Sequence, residues 1–188
     1  MNAAHGVARL EAATGIRFAH IAAARNETDR RLVGRRERLT SLDVDADATV
    51  VLMGSWGRRE VTSESDDDFM VLFESSERIE AQPRADQVAE ALGGRPPGEE
   101  DIFNTQVWLD DLREKIGRDE DSNANLTRRM LLVLESVPVC GDETSVRSRR
   151  ALLAGYLDAN VKQYRPPRFL LNDVIRYWRT IRSISRAR

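Results

Sequence analysis

The stretch Gly54-Ser55-Trp56-Gly57-Arg58-Arg59-Glu60-Val61-Thr62-Ser63-Glu64-Ser65-Asp66-Asp67-Asp68-Phe69-Met70-Val71-Leu72-Phe73 sets a Gly-Ser pair eleven positions ahead of the first of three consecutive aspartates. An apolar run at residues 49–53 leads into the Gly-Ser pair, and a second, at 69–73, follows the aspartates. The pattern predicts strand, turn and strand. Alternation along the second strand sends Asp66 and Asp68 to one face and Asp67 to the other. Two carboxylates at i and i+2 suit Mg²⁺, a hard cation that takes few protein ligands and fills its octahedron with water and substrate phosphates. The chemistry expected is phosphoryl or nucleotidyl transfer, with one ion activating the attacking oxygen and a second carrying the triphosphate. Gly54 and Gly57 would let the backbone approach those phosphates, and Ser55 would donate a hydrogen bond to them. The competing reading is a solvated acidic turn, because Asp and Ser favour turns. Three adjacent charges against an apolar run repel one another unless a cation binds there, which favours the metal site.

These residues resemble the signature of the nucleotidyltransferase superfamily related to DNA polymerase beta. That signature is a hydrophobic strand, Gly-Ser or Gly-Gly, about ten residues, and Asp-x-Asp on the next strand. Gly57-Arg58-Arg59-Glu60 is similar to the Ala-Arg-Gly-Glu piece of many bacterial members, with Arg59 standing where that piece has its glycine. The match leans toward the branch of protein-PII uridylyltransferase-like and other stand-alone bacterial nucleotidyltransferase domains. The resemblance implies Asp66 and Asp68 as catalytic metal ligands, a two-metal Mg²⁺ site, and Gly54, Ser55, Gly57 and Arg58 around the triphosphate. It also implies a third carboxylate from a later strand. The next apolar stretch, 102–109, alternates as a strand but carries no carboxylate inside it, so Asp101 at its start is the candidate third acid. Glu100, Asp110 and Asp111 stand behind it as candidates, although Asp110 and Asp111 also read as the cap and first turn of a following helix.

The chain has 188 residues, 41% hydrophobic and 32% charged, with a formal net charge of −2. That length buries one good core with a small helical appendage. The near-neutral balance gives no general nucleic-acid signature, but the signs are segregated. Acid gathers at 43–47, 60–68, 99–101 and 119–121, whereas residues 147–188 hold many arginines and few acids. Cys140 is the single cysteine, so no intramolecular disulfide forms, and a reducing, cytoplasmic setting is expected. No apolar stretch has the length of a membrane span, and residues 1–14 lack a signal-peptide h-region. With only His5 and His20, neither a zinc site nor a Ser-His-Asp hydrolase is expected.

Working outward, Phe18, Ile21, Ala22, Leu32 and Leu39 mark a long helix ahead of the first strand, and its arginines, Arg30, Arg31, Arg35, Arg36 and Arg38, read as a solvated face. Residues 75–92 read as a helix interrupted by Pro83, 93–98 as a loop, 119–125 as a polar cap, and 126–136 as a helix ending before Pro138. Arg128 and Arg129 at its start are expected to pair with the acidic loop rather than with phosphate. A helix over 145–164 and another after Pro166-Pro167 complete the chain. In the last one Leu171, Val174, Ile175, Trp178 and Ile181 form a stripe expected in the core, while Asn172, Arg176 and Arg179 form a polar face that would close over substrate.

The sequence therefore predicts an α/β (α+β) fold, a small mixed sheet flanked by helices with a C-terminal helical portion. Its expected divisions are a helical region at 1–45, the nucleotidyltransferase core at 46–118 and a helical region at 119–188. The expected function is Mg²⁺-dependent transfer of a nucleoside monophosphate from an NTP, ATP among the candidates, to an acceptor hydroxyl, with release of pyrophosphate. The acceptor, whether protein, RNA or small molecule, is not specified by the sequence. The alternative is a catalytically silent nucleotide-binding or regulatory, antitoxin-like module of the same fold. Polymerisation of nucleic acid is disfavoured, since no long basic and aromatic channel is evident.

Overall fold

The computed structural model describes residues 4–76, 78, 81–93, 102–158 and 167–186. Its described residues form helices α1 (Ala4–Thr14), α2 (Ala19–Leu39), α3 (Ser55–Arg58), α4 (Ala85–Leu92), α5 (Leu109–Arg113), α6 (Asn123–Leu134), α7 (Asp142–Asp158) and α8 (Arg168–Arg186). Four strands, β1 (Ala48–Met53), β2 (Phe69–Phe73), β3 (Thr105–Trp108) and β4 (Ser136–Cys140), form one mixed sheet in the order β3-β2-β1-β4. This is the α+β core with flanking helices that the sequence predicts.

β1 and β2 are buried along their whole lengths, a pattern that requires cover on both faces. Alternation divides their side chains between two cores. Val50, Leu52, Phe69 and Val71 pack with Leu32 and Leu39 of α2, Val88 and Leu92 of α4, and Trp56. Val51, Met53, Met70 and Leu72 pack with Leu112 of α5, Met130 of α6, Leu152 of α7 and Tyr177 of α8. β1 and β2 run antiparallel, from Ala48 opposite Phe73 to Leu52 opposite Phe69, while β3 lies parallel to β2 with Thr105 beside Met70. The C-terminal end of β1 and the N-terminal ends of the other three strands thus share one end of the sheet.

β4 is not anticipated by the sequence reading, which ran the helix to residue 136 and took Pro138 as its terminator. Pro138 instead pairs with Val51 at a register shift, on an edge strand where a missing N–H is tolerated. The region 119–188 therefore contributes a strand to the sheet besides its helices. The helix expected over 75–92 begins only at Ala85, where Arg84 N–H donates to the Gln87 side chain at 2.8 Å in a capping turn.

Of the α2 arginines expected on a solvated face, Arg30 is 73% exposed and pairs with Glu27 of the same helix, but the other four reach across to other elements. Arg31 donates to Thr62 O at 2.6 Å, Arg35 to Asp67 at 2.8 Å, Arg36 to Pro138 O at 3.0 Å, and Arg38 to Leu92 O at 2.8 Å. Each binds α2 to a loop, to β4 or to the end of α4, partners that a helical wheel cannot show.

The stripe expected in the core is also turned. Of its members, Val174 packs against the core as expected and the Ile181 side chain lies outside those described, but Leu171, Ile175 and Trp178 are 52%, 45% and 53% exposed, with Asp173 and Tyr177 buried. Arg129, fully buried in α6, sets that phase. Its guanidinium holds Asp121 at 2.5 and 2.8 Å and Asp173 at 2.8 Å, and its Nε donates to the Tyr156 hydroxyl at 2.8 Å. Tyr156 donates in turn to Asp173 at 2.5 Å. An enclosed cation must keep its carboxylates, so α8 presents Asp173 inward at the expense of its apolar stripe. Arg129 thus pairs with the acidic loop, as its position suggested. Arg128 donates from Nε to Ile102 O at 3.2 Å.

Candidate active site

β1 ends at Met53, and Gly54 turns the chain into α3 with φ 63° and ψ −119°, a conformation open to glycine and costly for any other residue. The turn is closed by hydrogen bonds from Gly54 N–H to Glu135 O at 3.0 Å, Arg58 N–H to Gly54 O at 3.0 Å, and Glu60 N–H to Ser55 O at 2.9 Å. No hydrogen bond engages the Ser55 hydroxyl among the described residues. Gly57 answers a different need. A Cβ there would lie 2.0 Å from the Glu135 carbonyl carbon, so glycine is required for α3 to lie against the start of β4. The close approach at position 57 is to the chain's own backbone.

Arg59 occupies the left-handed region, φ 61° and ψ 47°, where the resembling motif has glycine. The turn is made here with a non-glycine residue in that region, at a strain of roughly 1–2 kcal/mol. Arg59 also pairs with Asp29 of α2.

The acidic run is held from two sides. Trp56, buried in the α2 core, donates its indole N–H to Asp66 O at 3.1 Å, and Met53 N–H donates to Asp68 O at 2.9 Å. Thr28 of α2, buried, accepts from Val61 N–H at 3.2 Å. Asp67 points to α2, where Arg35 meets it at 2.8 Å while its guanidinium lies 5.5 Å from the Trp56 ring. Asp66 and Asp68 precede β2 in the phase of Met70 and Leu72, the opposite face. The Asp66 carboxylate is exposed and unengaged among the described residues, and Asp68 is half-buried. Asp67 is thus engaged on the α2 side, and the β2 alternation, continued back through residues 66–68, puts Asp66 and Asp68 on the other.

Arg58 is committed within the protein. Its guanidinium lies between Glu60 and Glu135 and pairs with both. Burial opposes its charge, but the two carboxylates outweigh that and raise its pKa. Glu135, which sequence reading missed, is a buried carboxylate directly behind the Gly54 turn. The only signal was its position, an acid ending the apolar run 130–134. The hydroxyl of Tyr177 in α8 is buried without a hydrogen bond of good geometry. Burial and then the neighbouring Glu135 charge push that phenol's pKa up.

Glu100 and Asp101 lie outside the described residues. Asp110 and Asp111 fall in the first turn of α5, where Asp110 accepts from Ser76 at 2.8 Å and Asp111 pairs with Arg78 at 2.8 Å. The described residues contain no group of three or more His, Cys, Asp or Glu able to hold a metal. The pair Asp66 and Asp68 still fits Mg²⁺, which takes one or two carboxylates together with substrate oxygens and water. No described helix is long and apolar enough to cross a membrane.

Residues 3–95, which contain the Gly54 turn, the acidic run and the α2 brace, match the family model described as "Putative nucleotidyltransferase DUF294". Comparison with curated proteins and with solved structures gave no match. The family match over residues 3–95, taken with the mixed four-stranded sheet that carries the motif at one end, supports membership of the nucleotidyltransferase superfamily.

Proposed function

We propose that the protein moves a nucleoside monophosphate from an NTP to an acceptor nucleophile and releases pyrophosphate, with Asp66 and Asp68 as its Mg²⁺ ligands. The observation that carries this reading is the division of the three aspartates. Asp67 is paired with Arg35, whereas alternation turns Asp66 and Asp68 to the other face, and the Asp68 carbonyl is bonded to Met53 N–H beside the Gly54-Ser55 turn. Bound there, Mg²⁺ would neutralise charge on the triphosphate and on the departing pyrophosphate. Ser55 offers its hydroxyl to a phosphate oxygen, and Gly54 permits the sharp turn that presents it. Arg58, held by two carboxylates, stiffens the turn from behind. Trp56 and Arg35 fix the acidic run, so the two ligands are positioned before substrate arrives.

The second reading is a catalytically silent nucleotide-binding module, favoured by β3, whose four residues Thr105, Gln106, Val107 and Trp108 include no carboxylate. Asp101 remains the candidate third acid for the enzyme, and the acceptor remains a protein, an RNA or a small molecule. Pyrophosphate release from each of the four NTPs, with candidate acceptors and Mg²⁺, distinguishes the two. Release that disappears in Asp66→Ala and Asp68→Ala supports the transferase. Metal-dependent NTP binding without turnover of any kind supports the silent module.

A further inference from the structure

Among the described residues, several arginines near the site are already committed to carboxylates. Asp66 and Asp68 bring two negative charges, and Arg58 is already shared between Glu60 and Glu135. The same holds for Arg35, Arg59 and Arg129, each of which holds a carboxylate.

Arg149 differs. It projects from α7 to the start of β4, where Nη2 donates to Ser136 O at 3.4 Å and to Ser145 Oγ at 3.1 Å. Ser136 is the β4 partner of Met53, the residue before Gly54, and the preceding carbonyl, Glu135 O, accepts from Gly54 N–H. Arg149 therefore stands at the same end of the sheet as the Gly54-Ser55 turn. Its Nε is buried without a hydrogen-bond partner, and no carboxylate pairs with it among the described residues. Burial alone lowers its pKa, with no carboxylate to offset it. A half-buried guanidinium without a counter-charge is unfavourable unless an anion completes it. The planar fork suits a phosphate oxygen pair better than any other common anion except carboxylate.

We propose that Arg149 is the phosphate-binding cation of this site, its fork anchored on Ser136 and Ser145 and its remaining donors directed to the non-transferred phosphates of the NTP. The inference rests on the nucleotidyltransferase reading above and adds to it the residue that receives the triphosphate.

The test is calorimetric titration of the full chain with inorganic tripolyphosphate in Mg²⁺, a probe carrying the phosphate chain without base or sugar. Arg149→Ala and Arg149→Gln are compared with Arg150→Ala, an exposed neighbour on α7 that removes the same charge. Thermal melts show which variants fold, and Arg149→Lys, which keeps the charge but loses the fork, stands in if the others do not. The expected result is a Kd raised about 10- to 100-fold by loss of a charge-assisted contact in Arg149→Ala and Arg149→Gln, less in Arg149→Lys, and within about twofold of the original in Arg150→Ala. Arg149 variants that bind like the original overturn the inference while leaving the site intact. An equal loss in Arg150→Ala overturns it too, as general charge attraction. Failure of the folded original chain to bind tripolyphosphate overturns both this inference and the reading of the site.

Discussion

Replacing Gly57 by alanine adds one methyl group at the tightest contact of the site. The new Cβ would meet Glu135 C at 2.0 Å, Glu135 O at 2.1 Å and Ser136 N at 2.4 Å, all backbone atoms with no rotamer to change. Ordinary contact begins at 3.4 Å, so α3 and the start of β4 must separate by 3.4 − 2.0, or 1.4 Å. The hydrogen bond from Gly54 N–H to Glu135 O, now 3.0 Å, cannot survive that movement. Overpacking costs about 1–3 kcal/mol and the lost backbone bond about 1 kcal/mol, against a gain of about 0.5–1 kcal/mol from replacing a helical glycine. The net expectation is a loss of about 1–3.5 kcal/mol, or a fall in Tm of roughly 2–14 °C for a chain of this size. Gly34, in the middle of α2 with open space around its would-be Cβ, provides the control. There the same substitution should stabilise by about 0.5–1 kcal/mol. Urea denaturation of both variants measures the pair. A Gly57→Ala protein within about 0.5 kcal/mol of the original, with unchanged m, would refute the packing argument.

The enclosed Arg129 network gives a second expectation. Arg129→Ala strands Asp121 and Asp173 and should cost about 3–5 kcal/mol, whereas Tyr156→Phe, which removes one hydroxyl, should cost about 1–3 kcal/mol by chemical denaturation. Two buried phenols give a third. Burial raises the pKa of Tyr156 and of Tyr177 above the ordinary value of 10.0, so the folded state keeps protons that the unfolded state releases. Stability should therefore be insensitive to these groups below about pH 10 and fall as pH rises beyond it, with a shallower fall in the Tyr156→Phe and Tyr177→Phe variants. Arg59 gives a fourth. Arg59→Gly and Arg59→Ala both lose the Asp29 ion pair, but only glycine relieves φ 61°, so the glycine variant should be the more stable of the two by about 1 kcal/mol. Equal stabilities would show that the turn carries no strain.

The centre of the fold was legible because its signals are local. Two apolar runs around a Gly-Ser turn and an acidic triplet state the strand pair, and the two-residue period states which aspartates share a side. What the sequence concealed depends on partners distant along the chain. The arginines of α2 resemble a solvated stripe until Thr62, Asp67, Pro138 and Leu92 are seen to fold back onto them. Gly57 suggested room for a phosphate, and the backbone it accommodates lies 78 residues further on, at Glu135. β4 was hidden by its proline, since Pro138 ends a helix and tolerates a sheet edge equally well. The phase of α8 was misjudged because hydrophobicity alone cannot foresee that Arg129 draws Asp173 inward. For Glu135 and Arg149, position in the fold is the whole signal.

The central claim is that Asp66 and Asp68, and not their neighbour Asp67, bind the metal that carries an NTP. Calorimetric titration with each of the four NTPs, with and without Mg²⁺, should be run on the original chain and on the Asp66→Asn, Asp68→Asn and Asp67→Asn variants, each checked for folding. The account predicts Mg²⁺-dependent binding of at least one NTP that is lost in Asp66→Asn and Asp68→Asn and retained within a few-fold in Asp67→Asn, whose side chain serves Arg35. Binding that ignores Mg²⁺, that survives both outer substitutions, or that fails in the folded original chain would contradict it.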